Sequence, residues 1–232
     1  MNSQITLCLT MGRRPDLLEK TLQSLLPLVD FFEIIAINDF RDPETNEAFQ
    51  RVCPKGKLIS LREQIGHHAA VDYMYSQVST PYVMHCEDDW EFTNDLDVLG
   101  AISLLTQKPE ISQVCFRKVS DFHLSEEDLS KVEHHQTGEF EYARLDKIHP
   151  QWHGYTFNPH LASLELRRQV NGFSGFKKER HISRSLRAKG RYTAYMEPGS
   201  CSHIGLDQSV SASAANPTGL NLLKKKLKSL FL

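Results

Sequence analysis

The sequence predicts an α/β fold with a mixed, mostly parallel central sheet flanked by helices, and three observations predict it. Short apolar runs of strand length alternate with segments of helical periodicity through the first half of the chain. Three polar clusters each follow such a run: residues 10–14, Asn38-Asp39, and residues 87–89. The 232 residues, 40% hydrophobic and 24% charged, suffice for one large domain whose core needs neither disulfides nor a structural metal.

Taken in order, residues 5–10 form a short apolar, partly β-branched run, the first strand. Pro15 follows the loop 11–14 at a position that a first helical turn tolerates, and Leu17, Leu18, Thr21, Leu22, Leu25 and Leu26 then repeat at helical spacing. Residues 32–37 make a second strand closing on Asn38-Asp39, and residues 57–61 a third. Gly66 opens a helix carrying Ala69, Ala70, Tyr73 and Met74. After Pro81, residues 82–84 begin a fourth strand that runs into Glu87-Asp88-Asp89-Trp90. A parallel sheet binds ligands at the carboxyl ends of its strands, so the three polar clusters converge on one edge.

The second half is less regular. Residues 111–117 read as a strand, 121–141 as a charged, helix-containing loop, and 152–159 as an aromatic, turn-rich stretch. Residues 179–189 read as a helix stopped by Gly190, with a strand at 192–195. The segment 207–219 is rich in Ser and Ala, contains Asn216-Pro217, and reads as a linker. The expected organisation is one domain over 1–206, that linker, and a basic amphipathic helix over 220–232. In this helix Leu220, Leu223, Leu227, Leu230 and Phe231 oppose Lys224, Lys225 and Lys228. Three occupants suit its apolar face: an anionic membrane surface, its own domain, or a second copy or other partner.

Charge and cysteine usage exclude several classes. With 27 Lys+Arg against 29 Asp+Glu the formal net charge is −2, without the basic excess of a protein that coats nucleic acid. No run approaches the length of a membrane span, and the opening residues carry no signal-peptide pattern, so the expected compartment is the cytoplasm. Cys8, Cys53, Cys86, Cys115 and Cys201 are scattered and never form a C-x-x-C pair, which fits a reducing compartment. His67-His68 and His134-His135 are adjacent pairs, and neither makes a metal site by itself.

The sharpest chemical signal is Glu87-Asp88-Asp89. Three acidic residues at the end of an apolar strand repel one another unless a cation or donor groups oppose them. Carboxylate oxygens suit a hard ion such as Mg²⁺ or Mn²⁺, which bridges a carboxylate and substrate phosphates. The alternative is a solvated acidic turn; the strand before the triplet, and Trp90 and Phe92 behind it, favour the metal. His203 follows a predicted strand; a lone histidine there suits a structural role, and otherwise a Mn²⁺ ligand when neutral or a phosphate contact when protonated.

Four features together resemble glycosyltransferases of the A-type, Rossmann-like nucleotide-sugar-binding fold, most nearly family 2, over roughly residues 4–205. Residues 10–15 with Leu17, Leu18, Leu22 and Leu25 are similar to that family's opening segment. Asn38-Asp39 stands where the family sets an acidic residue against the nucleoside, and Glu87-Asp88-Asp89 is similar to its D-x-D motif. Lys178-Glu179 leads Ile182, Leu186 and Gly190 at the spacing of its base-bearing helix, the alternative being an exposed helix with ordinary charges. The family's usual Glu-Asp pair is Lys178-Glu179 here, so the base position is Glu; the extra methylene moves the carboxylate by about 1.5 Å.

The resemblance implies a nucleotide-diphosphate sugar donor and a glycan or lipid-linked glycan acceptor, as in bacterial surface-polysaccharide assembly on the inner face of the cytoplasmic membrane. It implies Asp89 and His203 as ligands of Mn²⁺ or Mg²⁺, and Glu179 as the base of an inverting single displacement. Glu87, Asp88, Thr10, Asn38 and Asp39 would hold the donor. Arg13 or Arg14 would add a cationic contact, the alternative being a surface charge. Gly66 would approach the diphosphate, the alternative being an ordinary helix start. Trp152 and Asn158 fall where acceptor contacts are expected, with the core as the alternative for Trp152, and Phe157 falls in the core. Two other functions share these signals. One is a nucleotidyltransferase, of which Gly12-Arg13-Arg14 is a faint echo; the other is a non-catalytic sugar- or partner-binding domain. Oligomeric state stays open, a homo-oligomer included.

Overall fold

The computed structural model describes residues 2–205, so the linker at 207–219 and the helix at 220–232 lie outside the described residues. The first half runs β1 (Asn2–Met11), α1 (Pro15–Leu25), β2 (Phe31–Asn38), α2 (Pro43–Val52), β3 (Lys57–Ser60), α3 (His67–Tyr75) and β4 (Tyr82–Glu87). A short β5 (Trp90–Phe92), α4 (Val98–Gln107) and β6 (Ile111–Cys115) follow. Then come a 3₁₀ turn (Val119–Phe122), α5 (Glu126–Leu129), β7 (Glu133–Thr137), β8 (Phe140–Arg144), β9 (His160–Ser163) and α6 (Glu165–Gln169). The described chain closes with α7 (Glu179–Arg187), β10 (Tyr192–Glu197) and β11 (Cys201–His203).

Among the described residues, nine strands form one sheet in the order β3-β2-β1-β4-β9-β6-β10-β8-β7. β1 pairs in parallel with both β2 and β4, β2 with β3, and β6 with β10. β9 is antiparallel to both β4 and β6, and β8 is antiparallel to β10 and β7. Only β8 and β9 therefore run against the common direction. The predicted mixed, mostly parallel sheet is present.

Alternation along the strands builds a core on each face. Ile5, Leu7, Leu9 and Met11 of β1 and Met84 and Cys86 of β4 pack with Leu18, Leu22 and Leu25 of α1, Phe49 of α2 and Leu104 of α4. On the opposite face, Cys8, Ile35, Ile37 and Val83 pack with Ala70 and Met74 of α3, Leu166 of α6, and Ile182 and Leu186 of α7. Leu18, Leu22 and Leu25 are fully buried, each worth roughly 2 kcal/mol of transfer free energy.

Several elements differ from the sequence expectation. The stretch 121–141 holds one helical turn, α5, and then an edge hairpin, β7–β8, with Gly138 at φ 61° in its turn. Every residue of β7 stays at least partly exposed, so no apolar alternation marks it as a strand. α2 and α4 stand where the sequence pattern marks no helix, although each starts at an aspartate cap: Asp42 accepts from Thr45 N at 3.0 Å and Asp97 from Gly100 N at 2.8 Å. β9 enters the sheet directly after the aromatic stretch and delivers Tyr155 and Phe157 to the core beside α7.

Candidate active site

A cavity of about 490 Å³ opens at the carboxyl ends of β1, β2 and β4. The starts of α3 and α7 and the end of β11 complete its walls. Thr10, Asp39, Gly66, the three acidic residues, Glu179 and His203 all line it.

The acidic triplet is held from several sides. β4 ends at Glu87, a turn carries Asp88 and Asp89, and β5 follows. The β5 backbone is tied to α1, since Trp90 N donates to Thr21 Oγ1 at 3.0 Å and Phe92 N to Ser24 Oγ at 3.1 Å. β11 then pairs with β5, with His203 opposite Trp90, and Ile204 N donates to Asp89 O at 2.9 Å. That pairing brings His203 Nε2 within 2.8 Å of Asp89 Oδ2. Gly205 must be glycine for this approach, because a Cβ there would stand 2.5 Å from the same oxygen.

Arg14 bridges two of the carboxylates. It is the residue before Pro15 at the start of α1, and its guanidinium bonds Asp88 Oδ1 with one nitrogen and Asp89 Oδ2 at 2.6 Å with the other. Asp88 Oδ2 also accepts from Gly12 N at 2.8 Å. Burial raises the Asp88 carboxyl to about 7, against the charge of Arg14 and the Gly12 N–H. Burial acts on Asp89 in the same sense, but the His203 hydrogen bond and Arg14 outweigh it and hold its pKa below the usual range. Burial works against the guanidinium, and the two aspartates overcome it, raising the Arg14 pKa. Glu87 is raised well above the ordinary range by burial first, with the charges of Asp89, Glu179 and Asp88 adding.

Glu179 is the first residue of α7, whose Ile182 and Leu186 are buried in the core below it. Its Oε2 accepts from Phe157 N at 3.2 Å. Burial raises its pKa, opposed by that N–H, the Thr156 hydroxyl and the charge of Arg117. The cation acting on this carboxylate is thus Arg117, just past the end of β6.

The remaining expected residues divide. Asp39 accepts from Ile65 N at 2.7 Å and Gly66 N at 2.9 Å, fixing the start of α3, where Gly66 adopts φ 88°. Asn38 lies outside the cavity lining; its amide donates to Asp42 O and Asn46 Oδ1 and its Oδ1 accepts from Phe40 N and Arg41 N, so it organises the β2–α2 loop. Arg13 also lies outside the lining, stacked over Phe40 at 5.1 Å. Trp152 sits near His149 and Asn158 bonds Arg117 at 3.2 Å, both away from the lining. Phe157, expected in the core, is buried and yet walls the cavity, edge-on to His67 at 4.6 Å. Phe40, Gln64 and Gly205 line the cavity without having been singled out. Phe40 follows Asn38-Asp39 directly and Gly205 stands two residues after His203, the only signals that could have marked them.

Among the described residues no three His, Cys, Asp or Glu side chains form a self-sufficient metal cage. A two-ligand site completed by substrate phosphates is a different case. Asp89 Oδ1 is buried without a hydrogen-bond partner, and the adjoining Oδ2 shares its surroundings with His203. One carboxylate and one imidazole fit a divalent ion that takes its other ligands from a diphosphate.

The family described as Glycosyl transferase family 2 matches residues 7–179, a segment that ends at Glu179. Among curated proteins none is similar enough in sequence to match. A solved structure of the mannosyltransferase PcManGT from Pyrobaculum calidifontis, in complex with GDP-Man and Mn²⁺, superposes with a TM-score of 0.58 at 14% identity. That match covers 83% of this chain and 56% of PcManGT. S. aureus TarS, residues 1–349, superposes with a TM-score of 0.58 at 11% identity, over 85% of this chain and 59% of that one. The chain thus spans a little over half the length of the structures it resembles, and the likeness is one of fold.

Proposed function

Since the chain belongs to glycosyl transferase family 2, we propose that it moves a sugar from a nucleotide-diphosphate donor to a hydroxyl of a glycan or glycolipid, with inversion at the anomeric carbon. The observation that carries this reading is the meeting of Asp88, Asp89, His203, Arg14 and Glu179 around one cavity at the strand ends.

The chain's residues divide the work. Asp39 and the Gly66 turn border the space for the nucleoside and the diphosphate. Asp89 and His203 would hold a divalent ion, Mn²⁺ or Mg²⁺, which when bound neutralises charge on the departing diphosphate. Asp88, anchored by Gly12 N, or Glu87 beside it would hold the ribose or the sugar of the donor. Glu179 takes the proton from the acceptor hydroxyl as that oxygen attacks the anomeric carbon. Trp152 and Asn158 lie outside the cavity lining, so an acceptor role for them requires an acceptor that extends beyond it. Residues 220–232, outside the described residues, carry the basic amphipathic pattern suited to an anionic membrane surface on which a lipid-linked acceptor would lie. No helix among the described residues is long and apolar enough to cross a membrane.

The test is release of nucleoside diphosphate from a panel of nucleotide sugars with Mn²⁺ and an acceptor. Glu179→Gln should lower kcat by about 10²-fold or more while donor affinity changes little. Pyrophosphate released from a nucleoside triphosphate would instead identify a nucleotidyltransferase. A product that retains the donor's anomeric configuration would reject the single displacement.

A further inference from the structure

We propose that Arg14 gates the divalent-ion site: its guanidinium serves Asp88 and Asp89 as an internal cation and releases Asp89 only when a diphosphate takes the guanidinium in exchange. The inference rests on the proposed transfer from a nucleotide-diphosphate donor and adds a coupling to it, in which metal and diphosphate each strengthen the binding of the other. The geometry is specific to an arginine. One nitrogen of the planar fork reaches Asp88 and another reaches Asp89, so a single side chain clamps two consecutive carboxylates. The clamp is largely withdrawn from water: the Arg14 side chain is 11% exposed, Asp88 1% and Asp89 7%. Screening by solvent is weak in such a place, so two cations on one carboxylate compete strongly.

Asp89 Oδ2 already accepts from Arg14 and from His203 Nε2 at 2.8 Å, and Oδ1 has no hydrogen-bond partner. A metal arriving alone could approach Oδ1 only against the nearby guanidinium charge. A diphosphate removes that obstacle, because the fork that fits a carboxylate also fits a phosphate, and Arg14 lines the same cavity. Diphosphate therefore raises metal affinity, and metal must raise diphosphate affinity by the same factor.

Titration of the full chain with Mn²⁺, followed by the electron paramagnetic resonance signal of the free ion, tests this. It is run with and without inorganic pyrophosphate and corrected for their complex in solution. The wild type should bind Mn²⁺ at least about tenfold more weakly alone than with pyrophosphate. Arg14→Gln should bind Mn²⁺ alone about tenfold more tightly than wild type and lose most of the pyrophosphate enhancement. Adding Asp89→Asn should erase the gain, which locates it at that carboxylate. Should Arg14→Gln fail to fold by circular dichroism, Arg14→Lys, with a point charge that cannot clamp both carboxylates, should give a smaller gain in the same direction. Equal or weaker Mn²⁺ binding by the folded variant, beside pyrophosphate-dependent binding by the wild type, overturns the gate and leaves the transferase reading standing. Absence of Mn²⁺ binding in every protein, with or without pyrophosphate, overturns the gate and the metal role together.

Discussion

A carboxylate that accepts a proton from an acceptor hydroxyl must be ionised, and at Glu179 burial works against that state. Turnover should therefore rise with pH through the raised pKa of Glu179, so the acidic limb of the kcat profile lies above the ordinary glutamate range. The Thr156 hydroxyl favours the charged form, so Thr156→Val should move that limb further up, which a pH–rate profile checks directly. For folding the same shift has the opposite value. Below the pKa of an unfolded glutamate both states are protonated and nothing is lost. As pH climbs past it the unfolded chain ionises first, and stability falls until the folded carboxyl ionises as well. Glu179→Gln is free of that penalty, so it should melt at higher temperature than wild type at neutral pH and lose the advantage in acid.

At the scale of elements, the cavity depends on how α3 and α7 are held, since their first turns carry His67 and Glu179. Asp72 of α3 is the fastener. It accepts from Phe173 N at 2.9 Å, Ser174 N at 2.8 Å and Arg167 Nε at 2.9 Å, and so pins the turn before α7. Burial opposes its charge, but these donors outweigh it and lower its pKa. Its contribution is present above the usual aspartate range and fades as pH falls through the depressed pKa. Asp72→Ala should cost about 2–4 kcal/mol in urea unfolding at neutral pH and lower kcat through a displaced Glu179. Elements differed in how plainly they could be read. α1 and α7 bury regular leucine or isoleucine positions, so periodicity alone marks them. α2 buries only Thr45, Ala48 and Phe49, and β7 fully buries nothing, so their patterns are faint and their identity comes from capping and strand pairing.

For the whole molecule, the segment 220–232 sets a prediction of its own. A chain ending at residue 219 should lose binding to anionic vesicles while keeping transfer to a soluble acceptor, and high salt should weaken vesicle binding by the full chain. Cosedimentation reads the binding; a truncated chain that aggregates would assign the segment to the core instead. The sequence by itself determined the sheet class and the edge that carries the cavity. Strand and helix periods are local, and a run of parallel strands puts every carboxyl end on one side, so Thr10, Asp39 and the acidic triplet had to meet there. It also determined the site's likeness to family 2, because those motifs sit within single elements and their flanking loops. Only the tertiary structure decided which remote groups share a charge. Arg14 lies 74 and 75 residues from the aspartates it clamps, and His203 lies 114 residues from Asp89, joined to it by the pairing of two three-residue strands. It also decided that Asn38 serves its own loop, that Arg13 leans on Phe40, and that Trp152 and Asn158 stay off the cavity wall. Periodicity tells which face of its element a side chain takes. Its partners and its burial, and through them its pKa, depend on which elements pack together, which no local pattern records.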